Sequence, residues 1–225
     1  MEIPVNKQSP REYVPAIKSE SWLLLYDPLL RWTMRESTFK RRLVEQARIE
    51  PRHRVLDLGC GTATLTILIR RAQPAAEVVG LDADPKILEL ARAKVSKSGL
   101  AIPCVCGMSF ELPYADASFD RVLSSLLFHH LTRENKLRTL GEVYRVLRRE
   151  GELHVADYGK PQNALMRLAF RVVEIVDGRE TTEDHVCGLL PGLFRQAGFV
   201  AAEQTAQFTT VSGTLVLYKA RKPAP

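Results

Sequence analysis

The chain has 225 residues, of which 45% are hydrophobic and 26% are charged, and it contains 13 glycines and 13 prolines. This is ordinary usage for a globular protein, and a folded chain of this length buries roughly 70% of the surface that its unfolded form exposes. The composition therefore argues against a disordered chain, a collagen-like fibre and a small disulfide-bonded scaffold.

Much of the net charge of +6 comes from one segment near the N-terminus. Residues 31–54 hold eight basic and three acidic side chains. Such a stretch could contact nucleic acid, anionic lipid or an acidic substrate, but a solvated helix without a partner is the plainer interpretation. Aromatic residues do not alternate with the arginines, so no nucleic-acid partner is expected, whereas a peripheral contact with anionic lipid stays open.

Cysteine usage and hydropathy indicate a cytoplasmic protein. The four cysteines are too few and too scattered for a secreted framework, so reduced thiols are expected. They are Cys60, Cys104, Cys106 and Cys187. The best apolar run, Trp22–Tyr26, is followed by Asp27 and falls far short of the roughly 18–20 residues of a membrane span. The first residues also lack the basic-then-apolar order of a signal peptide.

In chain order, the first predicted segment is an irregular or short-helical arm over about 35 residues, which include four prolines. A helix is predicted for residues 37–49, and Pro51 closes it. Short apolar strands then alternate with helices that carry one apolar face. The predicted strands cover residues 54–58, 78–81, 102–106, 119–125 and 152–157, and the predicted helices cover 62–71, a segment from about Pro85, and 133–149.

The alternation of strands and helices predicts parallel strands joined by right-handed crossovers, with helices on both faces of the sheet. The last quarter differs, because a helix at about 185–197 is followed by two strands, 199–208 and 213–221, with only four residues between them. A connection that short permits only an antiparallel pair. The prediction is a Rossmann-like, doubly wound α/β fold with a mostly parallel seven-stranded sheet and one antiparallel strand near the C-terminus.

The strongest local signal is the glycine-containing segment Asp57–Thr64, between the first strand and the next helix. Gly59 and Gly61 permit a sharp turn and let a ligand approach bare backbone. Asp82 ends the second strand 21 residues after Gly61, where doubly wound folds place an acid on the hydroxyls of a ribose. A solvent-facing aspartate in a turn is the plainer alternative.

Two residues of this turn bear on the kind of nucleotide that would bind. A dinucleotide site needs a third glycine so that strand and helix pack closely around a pyrophosphate, but position 64 is Thr64. Asp57 would repel a pyrophosphate and suits a ligand that carries an ammonium group. The residues therefore favour S-adenosylmethionine over a nicotinamide dinucleotide, and a nicotinamide-dependent oxidoreductase remains the rival enzyme class.

Several segments together resemble the class I S-adenosylmethionine-dependent methyltransferases, and most of all the subgroup (type 11) that contains the ubiquinone and menaquinone C-methyltransferases. Val55–Thr62 is similar to the first motif of that family, and Val79–Asp82 is similar to the second. The resemblance extends over most of the chain. Its further segments are Tyr26–Asp27, Glu111–Tyr114, Ser118–Asp120, Glu142–Leu147 with Gly151, Ala197–Phe199 and Gly213–Tyr218.

The resemblance implies an enzyme that moves a methyl group from S-adenosylmethionine to a small organic acceptor and leaves S-adenosylhomocysteine. Gly59 and Gly61 would line the methionine moiety, Asp57 would help to hold its amino group, and Asp82 would take the ribose hydroxyls, with Ala83 beside the adenosine. The full implied cofactor site consists of Tyr26, Asp57, Gly59, Cys60, Gly61, Asp82, Ala83, Met108, Ser109 and Ser124.

Three of these positions carry further implications of the resemblance. Met108, followed by Ser109, stands where many relatives have an acid for the adenine amino group, so adenine would rely on apolar packing and backbone groups. Ser124 would lie near the methionine end and the acceptor. A cofactor-binding partner subunit without its own chemistry is the rival non-enzyme class, because Met108 departs from the pattern.

His129 and His130 follow the fourth strand, at the carboxyl edge where ligands bind in such folds. Imidazole titrates near neutrality, so either ring could act as a base or orient the acceptor. The plainer interpretation is that one ring caps the next helix and the other is exposed. His154 lies within a strand and is expected to be structural. No metal site is expected, because Cys104 and Cys106 have no second pair at a useful spacing.

The expected organisation is an N-terminal helical arm or lid over residues 1–50 and a methyltransferase domain over 51–225. An insertion at about 158–190 would form the acceptor pocket. An apolar stripe within residues 161–176 suits a hydrophobic acceptor, although half of the stripe must be core. The stripe consists of Leu165, Met166, Leu168, Phe170, Val172, Val173 and Ile175. The oligomeric state does not follow from the residues.

Overall fold

The structure is a computed structural model that describes residues 36–224 of the chain. Helix α1 spans Glu36–Ala47 and packs its buried residues, Phe39 and Leu43 among them, against the sheet. The predicted arm over the first 35 residues, including Tyr26, lies outside the described part.

Seven strands form one sheet at the centre of the molecule. They are β1 (Arg54–Leu58), β2 (Glu77–Asp82), β3 (Cys104–Cys106), β4 (Phe119–Ser125), β5 (Leu147–Tyr158), β6 (Val200–Thr210) and β7 (Gly213–Arg221). The strand order is β3-β2-β1-β4-β5-β7-β6. The five strands from β3 to β5 are parallel, and β7 is antiparallel to both of its neighbours. The predicted fold, with one reversed strand, is confirmed.

Helices cover both faces of this sheet. Beyond α1 they are α2 (Thr64–Ala72), α3 (Pro85–Lys97), α4 (Arg133–Val146), α5 (Ala164–Asp177), α6 (Arg179–Val186) and α7 (Leu190–Gln196), with a short 3-10 turn at Phe128–His130. Side chains of α1, α2, α3 and α5 pack in one apolar cluster with Val55. Those of α4 and α7 pack in a second cluster with Leu56, because successive residues of a strand point to opposite faces.

Two of the predicted boundaries in the second half were wrong. The helix predicted to reach residue 149 ends at Val146, and β5 begins at Leu147 rather than at residue 152. Leu147 keeps the apolar spacing of the helix and is buried in the same cluster, but its backbone is already extended. The single helix predicted at about 185–197 is two helices, because Gly188 takes a positive φ of 70° between α6 and α7.

Helix α5 has two apolar faces. Met166, Phe170 and Val173 are buried, as expected for the half of the stripe that is core. The other four residues of the stripe, Leu165, Leu168, Val172 and Ile175, are exposed. Fourteen residues is the greatest helix length in the described part, and none of its helices is long and apolar enough to cross a bilayer.

His154 is structural, as expected. It is fully buried in β5, its Nδ1 lies 3.1 Å from the Gln46 amide nitrogen, and its Nε2 lies 3.2 Å from a Glu152 carboxylate oxygen. Within the basic stretch, Lys40 pairs with Glu36. Part of the local positive charge is therefore neutralised by the stretch itself.

Candidate active site

The turn after β1 lies at the point where the strand order reverses. From β1 the chain continues to β2 on one side, whereas β4 lies next to β1 on the other side. In doubly wound sheets such a reversal opens a crevice at the carboxyl ends of the two neighbouring strands. The backbone N–H groups of Gly59 and Cys60 both donate to the Leu81 carbonyl oxygen, at 2.8 and 2.9 Å. These bonds fix the turn against the end of β2.

The two glycines of the turn serve different purposes. Both have positive φ, 71° at Gly59 and 52° at Gly61, which favours glycine. A Cβ on Gly59 would lie 3.0 Å from the Leu127 side chain, so Gly59 is needed for packing. A Cβ on Gly61 would meet no atom of the described residues within 4 Å. Within residues 36–224, the backbone of Gly61 is therefore left uncovered.

Asp82 is joined directly to this turn. Its Oδ2 accepts a hydrogen bond from the Gly61 N–H at 2.8 Å, and its Oδ1 accepts one from the Asp84 N–H at 3.1 Å. The half-buried carboxylate keeps lone pairs for further donors, since an ionised carboxylate offers about four acceptor positions. The predicted proximity of the turn and the acid at position 82 is therefore present.

Asp57 is a buried acid with one unmatched oxygen. Its Oδ2 accepts a hydrogen bond of 2.6 Å from the Thr66 hydroxyl, whereas its Oδ1 has no hydrogen-bond partner among residues 36–224. Burial raises the pKa of Asp57 to about 6, although the Thr66 hydroxyl and the charge of Lys40 act in the opposite direction. A cationic group at Oδ1 would remove this penalty.

The remaining predicted cofactor residues divide into two groups. Ser124 and Ser109 are buried and turn their hydroxyls inward: Ser124 donates to the Leu58 carbonyl oxygen at 2.8 Å, and Ser109 bonds to Thr139 at 2.9 Å. These two hydroxyls stabilise the protein itself. The second group consists of three residues without such a hydroxyl. Cys60 is buried, and Ala83 and Met108 are half-buried.

His129 is held by a buried carboxylate at the end of β5. Its Nδ1 lies 2.8 Å from Asp157 Oδ1. Asp157 also accepts the backbone N–H groups of Phe128 and Tyr158, at 2.8 and 2.7 Å. Burial alone would raise the pKa of Asp157, but the charges of His129 and His185 and the hydrogen bonds from His129 and the Tyr158 N–H hold it well below its usual range. For His129 burial acts in the other direction and lowers the pKa. The charge and hydrogen bond of Asp157 outweigh burial, so the pKa of His129 is raised.

The ring of His130 packs against that of His129 at a tilt of 41° and lies beside a second carboxylate. The two ring centroids are 4.0 Å apart, and His130 Nδ1 lies 3.2 Å from Asp177 Oδ1. Burial, followed by the charge of His129, lowers the pKa of His130. The plainer interpretation, with one ring capping the next helix and one exposed, is wrong: Thr132 caps α4, and His129 is buried.

Sequence reasoning missed three members of this cluster, Asp157, Asp177 and His185. His185, on α6, is fully buried; its Nδ1 lies 2.8 Å from the Tyr158 carbonyl oxygen, and its Nε2 has no partner in the described part of the chain. Burial lowers its pKa to about 4. Asp157 could have been found, since β4 and β5 are neighbours whose carboxyl ends share an edge.

Comparison with known proteins identifies the family. A profile described as a methyltransferase domain matches residues 55–151. The chain is 34% identical to a demethylmenaquinone methyltransferase of Thermus thermophilus over 72% of this chain and 69% of that protein. It is 31% identical to an uncharacterized methyltransferase of Synechocystis over 75% and 77% of the two chains.

A solved structure supports the same fold. The YcgJ protein from Bacillus subtilis superposes with a TM-score of 0.69 at 16% identity, over 84% of this chain and 100% of that one. The chain therefore belongs to the class I S-adenosylmethionine-dependent methyltransferase family.

Proposed function

We propose that the turn after β1 binds S-adenosylmethionine and that the protein transfers its methyl group to a hydrophobic, menaquinone-type acceptor. The observation that carries the cofactor assignment is Asp57 Oδ1, which has no hydrogen-bond partner among the described residues. Asp57 lies on the strand that leads into the turn, where the backbone N–H of Gly61 is bonded to Asp82. This arrangement suits a ligand that has an ammonium group at one end and a ribose diol farther along the molecule.

The residues present fit that ligand. Asp57 would hold the ammonium group, Asp82 would accept from the ribose hydroxyls, and the open side of Gly61 would let the ligand approach the backbone. When bound, S-adenosylmethionine supplies a methyl group on a positively charged sulfur, already activated for displacement. The remaining task of the protein is to hold the acceptor in line and to exclude water.

We assign the acceptor side to His129 and His130, which follow β4 at the same edge of the sheet. The ring of Tyr158 packs edge-on against His129 with centroids 4.9 Å apart, and Phe170 of α5 packs edge-on against Tyr158 at the same distance. Two imidazoles backed by buried aromatic rings suit an acceptor that is apolar and carries a polar oxygen. Demethylmenaquinone, in the name of the Thermus relative, is of this kind.

We place this activity in the cytoplasm, since Cys60, Cys104, Cys106 and Cys187 are all free in the structure.

Calorimetry and a turnover assay test the proposal together. We expect the protein to bind S-adenosylhomocysteine and to bind NAD at least tenfold more weakly. With S-adenosylmethionine it should methylate a reduced naphthoquinone, detected by mass spectrometry, in preference to polar phenols. Preferential binding of NAD would refute the cofactor assignment. Binding of S-adenosylhomocysteine with no turnover on any quinol would refute the acceptor class.

Gly61 offers a test of where the ligand lies. Gly61→Ala should cost about 1 kcal/mol of stability through its positive φ and should lower affinity for S-adenosylhomocysteine about tenfold, because the new Cβ enters the proposed ligand space. Gly99→Ala is the matched control, since Gly99 also has a positive φ and open space around its Cβ but lies in the turn after α3. Calorimetry that finds the same affinity in both variants would contradict the placement.

A further inference from the structure

The side chains of His129, His130 and Asp177 converge at the carboxyl edge of the sheet. One ligand atom from each lies within 4.8 Å of the others. His129 Nε2 is 3.8 Å from Asp177 Oδ2, and His130 Nδ1 is 3.2 Å from Asp177 Oδ1. Small side-chain adjustments would bring all three atoms to about 2.0–2.2 Å from one ion, the usual length of such bonds. We propose that these three residues bind a divalent transition-metal ion.

Asp157 supports this assignment as a partner of the first ligand. Metal-binding histidines generally donate the second ring N–H to a carboxylate or carbonyl, which fixes the ring and leaves the other nitrogen for the metal. Asp157 occupies that position at Nδ1 of His129, at 2.8 Å, and is itself held by two backbone N–H groups. The nitrogen that remains, Nε2, is the one that faces Asp177.

The position of Asp177 in the fold gives an independent argument. It is the last residue of α5, and its side chain is only 14% exposed. A carboxylate at the C-terminal end of a helix is unfavourable, because that end carries partial negative charge. A buried acid in this position needs a cation or hydrogen-bond donors, and the neighbouring buried Asp157 adds further negative charge. A divalent cation would offset both.

The donor set indicates which ion would bind. Two imidazoles and one carboxylate suit zinc or iron(II), whereas magnesium and calcium prefer oxygen ligands. His185 adds a further nitrogen to this environment: its ring centroid lies 6.2 Å from that of His129, and its buried Nε2 is unpartnered within residues 36–224. The expectation from the sequence, which considered only the cysteine pair, did not include this site.

Three protein ligands leave at least one coordination position open. At the acceptor side of the site, that position would receive an oxygen of the acceptor, and the ion would polarise it and lower the pKa of its hydroxyl. This role rests on the proposed function. Binding of the ion does not rest on it, since it depends only on the three ligand side chains and on Asp157, which orients one of them.

Cobalt(II) and zinc(II) titrations of chelator-treated protein test the site. We expect one ion per chain, with visible cobalt absorption that zinc displaces. Asp177→Asn and His130→Ala should each weaken binding at least tenfold, and Asp157→Asn should weaken it by about 10–100-fold through the ring of His129. His53→Ala is the matched control, since His53 lies in the loop between α1 and β1 and contacts Glu50. It should bind the ion as the unmodified protein does.

Circular dichroism and binding of S-adenosylhomocysteine should stay unchanged in Asp177→Asn, so a loss of metal affinity can be separated from a failure to fold or to bind cofactor. Should His130→Ala unfold, Asp177→Asn decides alone. The proposal is overturned if chelator-treated protein takes up no cobalt or zinc, or if Asp177→Asn binds them as tightly as the His53→Ala control. Metal binding without methyl transfer to any quinol would support the metal site and would refute the proposed acceptor class.

Discussion

Replacing Asp57 by asparagine is expected to stabilise the unliganded protein at pH 8 by roughly 2 kcal/mol while weakening binding of S-adenosylhomocysteine about 100-fold. The stability gain follows from burial, because asparagine keeps the acceptor for the Thr66 hydroxyl and carries no charge that must be desolvated. The loss of affinity follows from the same change, since the ammonium group of the ligand would lose its buried counter-charge.

The pH dependence of the free energy of unfolding tests whether the buried charge of Asp57 causes the difference in stability. The pKa of Asp57 is about 6 in the folded chain and near 3.8 without the fold, so between these values the native state binds more protons than the unfolded state. The free energy of unfolding therefore falls as pH rises from about 4 to 6, by up to about 1.4 kcal/mol per pH unit. Asp57→Asn should remove that fall, so that the two proteins are similarly stable at pH 4 and differ at pH 8.

Urea denaturation at both pH values measures the stability difference, and calorimetry measures the affinity. Asp116→Asn is the matched control, because the Asp116 side chain is 78% exposed and should change neither quantity appreciably. The prediction is contradicted if Asp57→Asn is less stable than the parent at pH 8 or binds S-adenosylhomocysteine equally well. Either result would show that the Asp57 carboxylate does not bind the ammonium group of the ligand.

Asp82→Ala should weaken binding of S-adenosylhomocysteine at least tenfold. A carboxylate bonded to two ribose hydroxyls contributes roughly 1.5–3 kcal/mol for each bond, and the substitution also releases the Gly61 N–H that fixes the turn. Asp82→Asn separates these effects, since an amide oxygen can still accept from Gly61 while the charge is lost. We expect an intermediate affinity for this variant.

An analogue without ribose hydroxyls gives the sharper measurement. It should bind the parent weakly and lose little further affinity in Asp82→Asn, because the interaction that the variant weakens is already absent. Asp84→Ala is the control for the neighbouring turn, since Asp84 caps α3 through the N–H groups of Lys86 and Ile87. Its effect should be limited to stability, at about 1 kcal/mol. If Asp82→Asn loses the same affinity for S-adenosylhomocysteine as for the analogue, Asp82 does not bind the ribose hydroxyls.

The cofactor side of the site could be predicted from the sequence because it depends on local chain geometry. A strand that ends in a glycine turn, followed by an acid at the end of the next parallel strand, places Asp57, Gly61 and Asp82 at one edge of any doubly wound sheet. The start of β5 could not be predicted, since Leu147 satisfies the apolar spacing of the helix before it and is buried equally well in a strand.

The acceptor side could be predicted only in part, because its members come from distant elements. His129 and His130 follow β4 and were found by position. Asp177 and His185 belong to α5 and α6, and where those helices meet the turn at Phe128–His130 depends on how they pack rather than on any local pattern. In the sequence these polar residues belong to three separate segments, whereas in the structure they form one cluster.

Strand β7 is made after β6 but lies between β5 and β6. During synthesis on the ribosome, the parallel strands from β3 to β5 and the turn after β1 are complete before β7 emerges. Until then β6 lacks β7, the strand with which it pairs in the folded protein, and the side of β5 that β7 will cover is an open edge. Open edges pair readily with strands of other chains, so nascent chains stalled before residue 213 should be the most prone to aggregate.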